Sequence, residues 1–156
     1  MQKITPFLWF DGRAEEAMEF YVGIFPDSRR GRIMRYSGAG PGVPGSVLSA
    51  TFELEGVEFT ALNGPRRFEF SPAVSFFIHC ASQAEVDRCW DALLEGGKAM
   101  QCGWLSDKFG ITWQIVPEAL GDMLAGDPVR AARVMQAAMP MVKLDLATLQ
   151  RAYDGE

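Results

Sequence analysis

The chain repeats itself, and this limits the possible folds more than any other feature of the sequence. Ala17, Tyr21 and Ile24 find counterparts in Val86, Trp90 and Leu93, each pair 69 residues apart. Both sets are apolar stripes at helical spacing. The same interval lays Ile4 on Ala73, Phe7 on Phe76 and Trp9 on Ile78. An interval of 54 lays Gly56-Val57-Glu58-Phe59-Thr60 on Gly110-Ile111-Thr112-Trp113-Gln114. Two similar halves, each with one helix to bury against its own strands, call for a tandem α+β architecture.

In the first half, Ile4 to Phe10 is rich in residues that suit a pleated surface, and Asp11-Gly12 ends it, which predicts a strand. Ala14, Ala17, Met18, Tyr21, Ile24 and Phe25 then share one helical face, closed by Pro26-Asp27-Ser28. A short strand around Gly31 to Tyr36 precedes a loop, Ser37 to Gly45, whose Gly and Pro content excludes regular structure. In Val47 to Leu54 apolar and polar residues alternate, and Glu55-Gly56 turns the chain into Val57 to Leu62. The order is βαβββ.

After the Asn63 to Ser71 linker, the second half repeats that order. Ala73 to Cys80 reads as a strand, Ser82 with Glu85 as a capping box, and Val86, Cys89, Trp90 and Leu93 as a buried stripe ended by Gly96-Gly97. Lys98 to Cys102, Trp104 to Ser106 and Ile111 to Val116 complete the module. Beyond Pro117 the composition shifts to Ala, Met and Leu, with helices expected from Pro128 to Met139 and after Asp145. This tail reads as a clasp on its own domain or on a second subunit. The expected layout is one domain over 1–156, with modules at about 2–64 and 72–117 and a C-terminal helical extension over 118–156.

A formal charge of −5 supplies no counterion-release term, so nucleic acid is not an expected partner. The local cluster Arg29, Arg30, Arg32 and Arg35 is either a solvated strand edge or an anion attractor. Cys80, Cys89 and Cys102 are odd in number and lack close metal-binding spacing, and no secretory leader is legible. A reducing, cytoplasmic setting is expected. No apolar run reaches the ~18 to 20 residues of a membrane span.

Tandem βαβββ modules of this length resemble the vicinal-oxygen-chelate superfamily of glyoxalase I, ring-cleaving dioxygenases and bleomycin-resistance proteins. The motifs Ile4 to Gly12, Ala17 to Tyr21, Ala61-Leu62-Asn63-Gly64, Val74-Ser75-Phe76, Gln101 to Leu105 and Asp107-Lys108-Phe109-Gly110 are similar to its PhnB-like branch. So is the tail segment Met141 to Leu149. The resemblance implies curved sheets around a cavity, with helices outside, and a homodimer. Some members of the branch carry a 3-demethylubiquinone 3-methyltransferase label. The glycine-rich loop Gly38 to Gly42 lies between two strands and opens no helix, so it does not provide a nucleotide-type cofactor site.

In metal-dependent relatives the ligands come from the first and last strands of each module, which the resemblance maps to Ile4, Thr60, Ala73 and Gln114. Only the Gln114 amide is a reasonable donor among them, whereas a catalytic divalent metal usually takes three imidazole, carboxylate or thiolate ligands. No metal and no cofactor are therefore expected. Strand alternation adds Ser75, Phe77 and Thr112 to the cavity lining, with Gln101 and Trp104 from the motif, while Phe76, Ile78, Ile111 and Trp113 should pack under the helices.

Three residues could carry chemistry. His79 is the one histidine and reads as either a surface residue or a proton-transfer group. Glu58 flanks the Glu55-Gly56 turn and is an exposed carboxylate or, if buried near Phe59, a base with a raised pKa. Cys102 is an inert buried thiol or, beside Lys98 or Lys108, a nucleophile. The leading expectation is a protein that binds a small molecule in a cavity lacking the usual metal ligands. The alternatives are a lyase, isomerase or transferase using Glu58, His79, Cys102 or an atypical metal, and a structural or regulatory dimer.

Overall fold

The computed structural model describes residues 2–156, which divide into two compact units on either side of the Glu69–Phe70 step. In the first, β1 (Phe7–Phe10), α1 (Ala14–Val22), β2 (Ser28–Arg35), β3 (Val47–Leu54) and β4 (Val57–Asn63) follow the expected βαβββ order. The strands are arranged β1-β4-β3-β2, with β1 parallel to β4 and the other pairs antiparallel.

The stripe read from sequence is the stripe that is buried. Ala14, Ala17, Met18 and Tyr21 of α1 cover Leu8, Ala50, Phe52, Phe59 and Ala61 on one face of the sheet. Tyr21, Phe52 and Phe59 form a stack with centroids 6.0 and 5.7 Å apart. β2 is the free edge, and its arginines pair within the unit: Arg29 with Glu53 at 2.7 Å, Arg30 with both oxygens of Glu19. This favours the solvated-edge reading of the cluster.

The second unit contains β5 (Ser75–Cys80), α2 (Gln83–Leu94), β6 (Lys98–Ala99), β7 (Trp104–Ser106) and β8 (Thr112–Pro117), with strands ordered β5-β8-β7-β6. Ser82 accepts the Glu85 N–H at 3.2 Å and Glu85 reaches back to the Ala81 N–H, so the capping signal is real, shifted by one residue on its return arm. Val86, Cys89, Trp90 and Leu93 are buried against Leu105, Trp113 and Ile115.

Three helices follow: α3 (Glu118–Ala125), α4 (Pro128–Ala138) and α5 (Leu146–Asp154). The last two were legible from Pro128 and from the Asp145 cap, whose carboxylate accepts the Thr148 N–H. α3 was not, because Gly121 interrupts a short helical pattern. Leu120, Met123, Val134, Ala138, Leu144 and Leu149 form a small core that closes over Val116. The tail is thus a clasp on its own unit. Among the described residues no helix is long and apolar enough to cross a membrane.

The observed register corrects the repeat in one respect. Phe7 pairs with Thr60, and Phe77 pairs with Gln114. Since Thr60 and Gln114 are the matched closing positions, Phe7 corresponds to Phe77 and not to Phe76, which pairs with buried Trp113 on the opposite face. The helices keep the shorter interval because three residues separate β1 from α1 and two separate β5 from α2.

Candidate functional site: the open sheet faces

Each sheet has one face covered by its helix and an opposite face that is open over part of its area: in the second unit the tail core covers its Val116 end, and Thr60 and Thr112 on these faces are themselves buried. In the first unit the open face carries the rung Phe7, Thr60 and Thr51, since paired residues on neighbouring strands project to the same side. Phe7 is 63% exposed, while the Thr51 and Thr60 hydroxyls approach each other at 3.2 Å. Trp9 and Leu62 form the next rung, and the Trp9 indole donates to the Arg66 carbonyl at 2.6 Å while meeting Phe68 edge-on.

In the second unit the corresponding rung is Phe77, Gln114 and Trp104, followed by Ser75, Thr112 and Ser106. The Gln114 Nε2 donates to Ser75 Oγ at 2.9 Å, which fixes the amide and leaves its Oε1 and the serine proton for a ligand. Phe77 is 47% exposed. An amide between two aromatic side chains is an apolar surface with a defined polar centre, the usual make-up of a small-molecule contact.

Ile4 and Ala73 lie elsewhere. β1 begins at Phe7 and β5 at Ser75, so both residues belong to the approaches to the strands, and Ile4 is 84% exposed. The opening-strand neighbours of Thr60 and Gln114 are instead Phe7 and Phe77. Sequence reasoning missed Phe7 because the 69-residue interval placed it opposite Phe76. Gln101 is exposed in the β6–β7 turn, and its carbonyl accepts the Trp104 N–H.

The three reactive candidates have separate surroundings. Glu58 exchanges backbone hydrogen bonds with the Gln2 side chain and has the Thr5 hydroxyl 3.5 Å from Oε2. His79 is exposed on the open face, its ring 4.7 Å from that of Phe77. Cys102 is half-buried and packs against the tail core. Among the described residues no three His, Cys, Asp or Glu side chains gather as a metal ion would require.

Several motif residues have structural work to do. Asn63 Oδ1 accepts the Gly12 and Ala14 N–H groups and so caps α1 from a distant strand, where the local Arg13 provides no side-chain cap. A Cβ at Gly64 would lie 1.9 Å from the Trp9 ring. Beside them a cleft of about 360 Å³ is lined by Asp11, Glu15, Tyr36, Gly42 and Asn63. It lies at the Asn63 end of the sheet.

Residues 2–116 match the family described as 3-demethylubiquinone-9 3-methyltransferase. Among solved structures, a PhnB protein from Bacillus cereus is 39% identical, covering 74% of this chain and 99% of its own, with a TM-score of 0.68. The protein PA1353 from Pseudomonas aeruginosa shares the fold at 24% identity and a TM-score of 0.59, covering 76% of this chain and 98% of its own. A search of curated proteins gives no match. The family match ends at Val116, so the tail helices lie outside it. The chain belongs to this 3-demethylubiquinone-9 3-methyltransferase-like family, the PhnB-like branch of the vicinal-oxygen-chelate superfamily.

Proposed function

We propose that the chain binds a small, partly apolar molecule on the open face of its second unit, without needing a metal ion there. Phe77 and Trp104 supply the apolar flanks, and Gln114, oriented by Ser75, supplies the central hydrogen bond. The observation that carries this reading is the single rung on which Phe77, Gln114 and Trp104 stand side by side. A positioned amide selects a ligand by its hydrogen-bonding group, since an analogue lacking that group leaves the amide unpaired. In this reading the working form is a cytoplasmic homodimer, an expectation carried over from the resemblance.

The test is a thermal-shift screen of small organic molecules and of Zn, Ni, Mn, Fe(II) and Mg salts, because any species that binds only the folded state stabilises it. An organic hit should lose about tenfold or more in affinity on Gln114→Leu or Phe77→Ala, with the melting temperature of the free protein nearly unchanged. A stoichiometric metal whose removal lowers stability would overturn the proposal. So would a hit whose affinity ignores both substitutions.

A further inference from the structure

The β6–β7 turn is built on an unfavourable backbone. Gln101-Cys102-Gly103-Trp104 closes with the Trp104 N–H donating to the Gln101 carbonyl at 3.2 Å. Both central residues are left-handed, Cys102 at φ +58° and Gly103 at φ +83°. Two-residue hairpin turns of that sign favour Asn or Gly at the first position, because a Cβ crowds the backbone there. Cysteine does not suit it.

The compensation comes from the tail. The Cys102 N–H donates to the Met141 carbonyl at 2.6 Å and the Gly103 N–H to the Val142 carbonyl at 2.8 Å. Leu144 covers the turn so closely that a Cβ at Gly103 would lie 2.9 Å from its Cδ1. The covering segment is itself tied to α2. Gln83 donates to the Leu144 carbonyl at 3.0 Å and accepts the Leu146 N–H at 2.7 Å, and Lys143 pairs with Asp87 at 2.9 Å. A continuous set of bonds therefore runs from α2 through residues 141–146 to the turn, and from the turn directly to Trp104.

We propose that the C-terminal extension is a positioning device for the open face: residues 141–146 hold the Cys102-Gly103 turn left-handed and thereby set where the Trp104 indole stands beside Gln114. Gln83 and Leu144 are positioning residues in this scheme, acting through the turn. The device lies largely in the part of the chain that the family match does not cover. The geometry is independent of the proposed function, and only the effect on binding rests on that reading.

The experiment uses the full chain labelled with 5-fluorotryptophan, whose four tryptophans give four ¹⁹F lines assignable by Trp→Phe substitution. Gln83→Ala, the mild variant, and Leu144→Ala, the severe one, should shift or broaden the Trp104 line and leave the Trp9 line in place. Adding Cys102→Asn to Gln83→Ala makes the turn self-supporting and should restore the Trp104 line, which a merely structural tail would not allow. A ligand found on the open face should lose roughly threefold or more in affinity on Gln83→Ala and regain it with Cys102→Asn. If no ligand is found, the ¹⁹F result decides alone. A Trp104 line that ignores Gln83→Ala, or one that Cys102→Asn fails to restore, overturns the proposal.

Discussion

The Trp113 indole N–H donates to Asp107 Oδ2 at 2.9 Å, and both side chains are buried. The other carboxylate oxygen accepts the Phe109 and Ile111 N–H groups at 2.9 and 3.1 Å, so one side chain ties the Asp107 to Gly110 turn to β8. Asp107→Ala strands three donors, two of them in buried bonds and one part-buried, and should cost about 2–4 kcal/mol. Asp107→Asn keeps an acceptor and should cost less. Urea unfolding checks both: the midpoint should fall in that order with the slope unchanged.

Phe52 and Phe77 offer a contrast between core and open face. Phe52 is stacked between Tyr21 and Phe59 and is almost wholly buried, so Phe52→Ala should destabilise by about 3–5 kcal/mol. Phe77→Ala should change stability by about 1 kcal/mol or less, since half of its surface is already in water. Calorimetry of the two variants distinguishes them. A large loss for Phe77→Ala would mean that a second chain covers that face in solution.

The buried half of this fold was legible because helical and strand periodicities report what must leave water. Tyr21, Phe52, Val86, Trp90 and Trp113 are all where the pattern puts them. The open face was less legible, because a residue slip in a strand moves a side chain to the other side. That slip is what hid Phe7 by laying it on Phe76, whereas Ile4 and Ala73 were placed too early along the chain, ahead of the strands that begin at Phe7 and Ser75. Asn63 as the cap of α1, and Met141 and Val142 as acceptors for the β6–β7 turn, were not legible at all. Each joins residues distant in sequence through two isolated hydrogen bonds that leave no periodic trace.

The thiols should differ in reactivity. Cys80 and Cys89 are buried, and hydrogen bonding to Cys89 together with desolvation holds the Cys80 thiol well above the ordinary thiol range. Thiolate is the attacking form, so neither should react with an aromatic disulfide reagent until the unit opens. Cys102 is only half-buried and should react first. Kinetics in rising urea check this: one reaction in the native protein, and two more that accelerate with denaturant. Three equal rates without urea would contradict the burial.

The Lys143–Asp87 pair gives the tail a pH dependence whose direction can be worked out. Hydrogen bonds from Lys143 first and Gln83 second hold the Asp87 carboxyl below its ordinary value of 3.8, and the bond to Asp87 holds the Lys143 ammonium above its ordinary 10.5. A depressed carboxyl contributes stability that is present above pH 3.8 and lost as pH falls through the lower folded value. A raised ammonium contributes stability that is present below pH 10.5 and lost as pH rises through the higher one. The melting-temperature gap between the wild type and Lys143→Met should therefore be flat from about pH 5 to 9 and should narrow at both extremes. Because both side chains are partly exposed, 1 M salt should shrink the gap at every pH. A gap that ignores pH and salt would show that Lys143 stabilises the tail through its alkyl chain instead of its charge.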